Sequence, residues 1–554
     1  MATKNTSALK RLGQLLKLEK KEITNVYFYA ILSGLVQLSL PLGVQSIIGL
    51  VMGTTMVTSI YILISVVVIG VLTVGMMHIN QMKVIEKIQQ RIFTRYAFEF
   101  ANTIPQLKLN QTNDHYLPEK ANRFFETITL QKGLSKILLD MPIASIQIVF
   151  GLVLLSIYHT VFIMLGILLL LILWLMLRYT GMHGLKTSLQ ESGHKYKVAG
   201  WLEELARVIL PFKFSNHNQF NLTRADKNIT NYLTARTSHF KVLLFQYKVL
   251  VAFKVVVTAC LLAVGTYLVI KQQLNIGEFI AAEIVILTVI GAVEKLISSL
   301  DSVYDVITGI EKLANVTELE TEKSGTLNLT TNQGLALTFK DVSYEYVPGK
   351  TALNNINITI PNNAKVGIWG DDGSGKSTLL KLIASCYDDY QGQILINGIP
   401  MSNYQLHALR QQISICLNTN DLFLGTVLEN ISMGDDAIKP ENIMQLANQL
   451  GMQDLLQDFA QGFDSLIDPT GKKLSESTTK KLLLLRALAS PKPLIVLSEP
   501  WSGLNEMYKQ NIINYMLGLT QSTVVVVTAD KDYLNQCTHA ITLSGGQVSS
   551  FKNN

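Results

Sequence analysis

Two long stretches of the chain, Ile23–Met82 and Met141–Leu177, contain no Asp, Glu, Lys or Arg. The first is long enough for two membrane helices of about 20 residues. The second fits two shorter ones joined by a tight turn at "SIYHT". With two later apolar runs, the pattern predicts six spans, near Ile23–Gly49, Val57–His78, Ile137–Ile157, Val161–Leu177, Val249–Ile270 and Phe279–Val293. Pro41 falls inside the first and predicts a kink. Leu9–Leu18 alternates Leu with Lys and Arg at helical spacing, which predicts an amphipathic helix lying on the membrane. The segments between spans two and three and between spans four and five are long, polar and basic. They predict helices that project beyond the bilayer, with turn-rich tips at "NQTNDHYLPE" and "KFSNHNQFN" placed to touch a domain below it. From about Gly325 onward, short β-rich runs such as "KVGIW" and "TVVVV" alternate with helical segments, the pattern of a soluble α/β domain. The expected layout is therefore an N-terminal amphipathic cytosolic helix (1–22), an all-α six-helix polytopic membrane domain (23–315), a linker (316–334) and an α/β domain (335–554).

Composition agrees with a membrane half. Only 16% of the 554 residues are charged, against about a quarter in soluble proteins, and the mean hydropathy is +0.28. The net charge of +6 does not imply nucleic acid, because its basic residues sit in alternate loops. Lys4, Lys10, Arg11, Lys17, Lys20 and Lys21 precede span one, and Lys83, Lys87, Arg91 and Arg95 follow span two. The loops after spans one and three carry no charge. This asymmetry predicts a plasma-membrane protein with both termini in the cytosol. The first apolar run continues as a span and does not read as a cleaved signal peptide. Cys260, Cys386, Cys416 and Cys537 show no CxxC spacing and read as reduced, buried thiols. Lys254 and Glu283 interrupt apolar spans, where ionisable groups are costly unless paired. They read as a structural ion pair or, less simply, as cargo contacts.

The soluble half carries its chemistry in "GDDGSGKST", Gly370–Thr378, set between the strand "KVGIW" and the helix "LLKLIA". GxxxxGK[ST] in that context is a P-loop. Gly370, Gly373, Ser374 and Gly375 let backbone N–H groups close around phosphates. Lys376 adds charge, Ser377 offers a hydroxyl to Mg²⁺, and Thr378 opens the helix. Asp371 and Asp372 are unfavourable beside phosphates and are expected to point away.

Six spans followed by a P-loop domain resemble an exporter-type ATP-binding cassette (ABC) half-transporter, and nearly the whole chain can be laid on that pattern. "VSYEYVPGKTALNNINITI" resembles the strand whose aromatic, here Tyr346, stacks on adenine. "LSLPLGVQSIIGLV" and "LNIGEFIAAEIVIL" most resemble the transporters of bacterial type I secretion and bacteriocin export. The resemblance implies ATP and Mg²⁺ as cofactors, an obligatory dimer (a homodimer or a second ABC half-transporter) and a membrane-fusion partner.

The sequence departs from the family at several functional positions. The Q-loop glutamine, a second Mg²⁺ contact, falls on Asn418, one methylene and about 1.5 Å shorter in reach. The signature LSGGQ maps onto Leu474, Ser475, Glu476, Ser477 and Thr478, where a carboxylate replaces a phosphate-facing glycine. The Walker B strand ends in Ser498-Glu499 in place of Asp-Glu, so the candidate general base remains while the metal-organising aspartate is lost. "SGLN" places Asn505 where the family has Asp, and the switch histidine becomes Ala529. A literal LSGGQ occurs at Leu543–Gln547, far downstream, where the family has a terminal β-hairpin. Gly545-Gly546 reads as its turn, so this spelling is coincidental.

In the family, each ATP lies between one subunit's P-loop and the other's signature, so a homodimer of this chain would have two impaired sites. The favoured reading is an exporter of a peptide, protein or other amphiphile with weakened hydrolysis. The alternative is a non-hydrolysing regulatory or scaffold subunit of a secretion assembly. A membrane-anchored P-loop enzyme of another kind has no further catalytic domain to support it.

Overall fold

The computed structural model describes residues 8–53, 57–110, 117–214, 219–417, 419, 421–468 and 474–553. The chain divides into two compact units. One comprises Met1–Gln106 and His115–Leu319, the other Leu107–Asp114 and Glu320–Asn554.

The first unit is all helical: α1 (Ala8–Leu18), α2 (Lys20–Gln37), α3 (Ser39–Met52), α4 (Val57–Thr103), α5 (Glu126–Tyr158), α6 (Val161–Arg207), α7 (Phe220–Ile270) and α8 (Ile276–Thr317). Counting α2–α3 as one bent rod, six helices are long and apolar enough to cross a membrane, so the chain is a multi-pass membrane protein. The bend falls at Leu38, between α2 and α3. Pro41 has no N–H to give the carbonyl of Gln37, so the helical ladder lapses one turn ahead of it. His159, extended between α5 and α6, makes the tight turn expected at "SIYHT". At α8 the cap is explicit. Asn275 accepts from the Glu278 N–H at 2.8 Å and Glu278 accepts from the Asn275 N–H at 2.9 Å, the reciprocal box that satisfies two first-turn donors.

Packing is tightest where small residues let helices approach. A Cβ on Gly133 would lie 2.6 Å from Val306, and one on Gly151 would lie 2.5 Å from Val289, which brings α5 against α8. The amphipathic helix α1 does form, but it is docked on its own chain. Leu15 is buried with Ile88, Ile92 and Val306, and Arg11 is paired with Glu311 and, at 2.7 Å, with Glu318. Lys254 pairs with Glu294 at 2.5 Å, one residue beyond the predicted end of span six, and not with Glu283.

The second unit has a four-stranded antiparallel sheet in the order β2-β1-β4-β5, from β1 (Leu337–Val347), β2 (Lys350–Ile360), β4 (Gln391–Ile396) and β5 (Ile399–Pro400). A six-stranded sheet has the order β10-β9-β3-β8-β7-β6. Its strands are β3 (Lys365–Gly370), β6 (Ile413–Cys416), β7 (Leu494–Ser498), β8 (Thr523–Val527), β9 (His539–Ser544) and β10 (Gln547–Asn553). β3, β8, β7 and β6 run parallel to one another. Their near-continuous Val/Ile/Leu composition matches strands buried on both faces. The literal LSGGQ forms the β9–β10 hairpin. Gly545 (φ +54°) and Gly546 (φ +78°) are both left-handed, as a two-residue type I′ turn requires. Lys108, 5% exposed, joins this unit through Asp389 at 3.1 Å and Asp388 at 3.4 Å. Most of the two turn-rich tips expected from sequence (111–116 and 215–218) lies outside the described residues.

Candidate nucleotide site

The P-loop leaves the carboxyl end of β3 and feeds α9 (Lys376–Ile383). Gly375 sits at the N-cap with φ +97°, and a Cβ there would lie 2.7 Å from the Ala352 carbonyl. Only glycine satisfies both conditions. Because no side chain caps α9, its first N–H groups remain available, and the helix dipole adds to their attraction for an anion. Lys376 Nζ folds back to donate to the carbonyls of Gly370 and Asp371, the latter at 2.7 Å. Ser374 is 3% exposed and its Oγ has no hydrogen-bond partner among the described residues. An orphaned hydroxyl, free helix N–H groups and an ammonium held only by carbonyls form a cradle that fits a polyphosphate. Asp371 and Asp372 are both exposed.

Tyr346 is half-buried. Its hydroxyl and that of Thr378 lie 3.0 Å apart, and its ring meets those of Tyr344 and Tyr387 edge-on. The sequence pointed to one aromatic here; the structure places three side by side, one tied to the P-loop helix. Tyr387 follows α9 at a distance from the other two in sequence, so no local pattern links them.

β7 ends at buried Ser498, and Glu499 follows with φ +44°. The Glu499 N–H donates to the Val527 carbonyl at 2.8 Å. The Thr528 hydroxyl approaches its Oε2 at 3.4 Å. Burial raises the Glu499 carboxyl above the usual range, partly offset by Thr528, the Ala529 N–H, Lys480 and Lys376. Ala529 thus reaches the carboxylate through its backbone, while its methyl adds no polar group. Lys480, not anticipated from sequence, is buried, and its ammonium donates to the Ser498 carbonyl at 3.4 Å. Its signal was a lysine on the apolar face of a helix. Asn418 lies outside the described residues.

The segment Leu474–Thr478, read from sequence as the signature position, opens α10 (Glu476–Leu488). Ser475 caps it by accepting from the Thr478 N–H at 3.0 Å, and the Thr478 hydroxyl donates to Asp458 at 2.6 Å. Leu474 packs on the core beneath, Glu476 is exposed at the first helical position and Ser477 is half-buried beside it. The positive end of this helix therefore already has a carboxylate of its own. Glu476 also lies beside Gly503, whose Cβ position is 3.7 Å from its Oε1. Asn505 caps α11 (Glu506–Gly518), accepting from the Tyr508 N–H at 3.0 Å, a role that Asn and Asp fill equally well.

Residues 353–502, within the second unit, match the family model described as "ABC transporter", a kind of domain that binds ATP, typically with Mg²⁺. Across 96% of its length the chain superposes on a bacterial Atm1-family ABC exporter with ATP bound, with a TM-score of 0.85, 16% identity and 95% of that chain covered. The fold is that of an ABC exporter. Among curated relatives, it is 30% identical over 269 residues to the leukotoxin translocation ATP-binding protein LktB of Pasteurella haemolytica-like sp. (strain 5943B), covering 48% of this chain and 38% of that protein. It is 28% identical over 287 residues to the alpha-hemolysin translocation ATP-binding protein HlyB of Escherichia coli O157:H7, covering 51% of this chain and 41% of that protein. These matches span about two fifths of each relative's length.

Proposed function

We propose that this chain is one half of an ATP-driven exporter in the bacterial inner membrane, with both termini and the ABC domain in the cytosol. Two halves, identical or paired with a second ABC half-transporter, enclose the nucleotides. The cargo is a peptide, protein or other amphiphile, and a membrane-fusion partner continues the route. The observation that carries this reading is an intact P-loop cradle on an exporter fold.

Gly370, Gly373, Ser374, Gly375, Lys376, Ser377 and Thr378 hold the phosphates, with Tyr346 toward the base. Glu499 is the residue placed to accept a proton from the attacking water. For Mg²⁺ the donor set is incomplete. Ser377 keeps its hydroxyl, but Ser498 offers no carboxylate, and no group of three acidic, His or Cys side chains among the described residues is suited to a metal. With Glu476 at the signature and no switch imidazole, phosphoryl transfer loses charge stabilisation in several places. One such group is worth about 10²–10³ in rate, and losses within one site do not multiply. Slow hydrolysis is the consequence.

The same replacements favour a second reading, a subunit that binds nucleotide without turning it over and so shapes a secretion assembly. Mg-ATP hydrolysis by the purified chain in lipid, beside Lys376→Ala and Glu499→Gln, separates the two. Slow turnover abolished by both substitutions supports the exporter. No turnover, with saturable ATP binding lost in Lys376→Ala, supports the second reading. ATP binding unchanged in Lys376→Ala would overturn both.

A further inference from the structure

Beyond the apolar parts of α6 and α7, the two helices line an open cavity of about 530 Å³. They run antiparallel there, with Thr187 beside His239 and Thr180 beside Gln246. The cavity brings His183 and Lys186 of α6 together with Lys241 of α7, while Tyr179 and Phe245 line the end nearer the apolar segments. No Asp or Glu lines it. The neighbouring cation Arg236 is paired with Glu191 at 3.0 Å. Lys186 and Lys241, by contrast, have no ion pair among the described residues.

The depth of these groups is informative. At about 1.5 Å per residue, His183 lies ~9 Å beyond Leu177 and Lys241 ~12 Å before Val249. The headgroup layer extends about 5–8 Å past the hydrocarbon, and an extended lysine side chain at this depth can reach it. Arg178 and Lys248, both exposed, flank the cavity at that boundary. Tyr179, 78% exposed, and Phe245, 53% exposed, offer the amphipathic and apolar surface that suits the interface. The positive-inside bias accounts for lysines in this segment, but it does not require them to converge on an acid-free hollow. Like charges around one cavity repel, and a bound anion removes that cost.

We propose that this cavity holds the phosphate of an anionic phospholipid headgroup, the class for which basic pockets between membrane helices are suited. The proposal rests on the membrane-spanning placement of α6 and α7, and not on ATP hydrolysis. The test compares melting temperatures of the full chain in phosphatidylcholine micelles with and without phosphatidylglycerol. It uses the native sequence, Lys186→Gln/Lys241→Gln, and a control, Lys197→Gln/Lys227→Gln, on the same two helices away from the cavity. Phosphatidylglycerol is expected to raise the melting temperature by several degrees in the native chain and control, and by less than half as much in the cavity variant. Equal gains in all three would overturn the proposal. A gain reproduced by inorganic phosphate or glycerol phosphate alone would mark a soluble-anion site and overturn the lipid assignment. The shift produced by ATP, read in the same samples, reports separately on the nucleotide site.

Discussion

At Glu499 a half-buried carboxyl, a left-handed backbone and two donors from the following strand's end meet in one residue. A left-handed non-glycine conformation costs roughly 1–2 kcal/mol, and such strain concentrates at functional sites. Because burial raises its pKa, Glu499 loses its charge at a higher pH than an ordinary carboxylate. Ionisation costs folding free energy above that raised pKa, and the cost disappears as pH falls. Activity runs the opposite way, since a protonated carboxyl cannot accept a proton. Residual hydrolysis should therefore fall on acidification through a pKa above the usual carboxylate value, and the Glu499→Gln chain should lack that slope. A profile flat down to about pH 4, near the unperturbed carboxylate value, would remove Glu499 from the base role. Gly375 offers a second residue-scale check. Gly375→Ala combines a strained φ with a clash against backbone, so ATP affinity should drop at least tenfold by titration calorimetry while helicity by circular dichroism is retained.

Among the elements, the charge-free runs and the P-loop were legible because each obeys a local rule. An apolar stretch of a given length spans or does not, and a glycine-rich loop between strand and helix has one common use. The terminal hairpin was legible for the same reason, once Gly-Gly was taken as a turn and not as a signature. What could not be read were pairings between elements distant in sequence. Lys254 finds Glu294 on α8, Arg11 finds Glu311 and Glu318, and Tyr387 joins Tyr344 and Tyr346. Charge and aromaticity were visible in each case, but the partner depended on helix and strand packing. Glu283 was the nearer candidate for Lys254 only because the predicted span stopped at Val293. This assignment is testable at the scale of two helices. Glu294→Ala should leave Lys254 uncompensated and destabilise the first unit by about 1–3 kcal/mol, read as a lower melting temperature. Lys254→Met/Glu294→Leu should recover most of that loss, and Glu283→Ala should cost less than Glu294→Ala. Equal losses at the two glutamates would refute the pairing.

For the whole molecule, the exporter fold and the proposed weakening of its chemistry are separable. The six membrane-length helices and the sheet order of the ABC domain are set by hydrophobic patterning, which the substitutions at the site leave untouched. Ser475, Thr478 and Asn505 cap or buttress their helices, so the residues at these positions support the scaffold whatever their part in the chemistry. The central claim is that these few side chains, and not the fold, limit ATP turnover. The most direct measurement is the Mg-ATP hydrolysis rate, in lipid, of the native chain beside a version carrying Glu476→Gly, Ser477→Gly, Ser498→Asp and Ala529→His. The account predicts a rise of about 10²-fold or more, the worth of a single restored stabilising group, abolished again by adding Glu499→Gln. A restored chain that binds ATP and folds as the native one does, yet hydrolyses no faster, would contradict it.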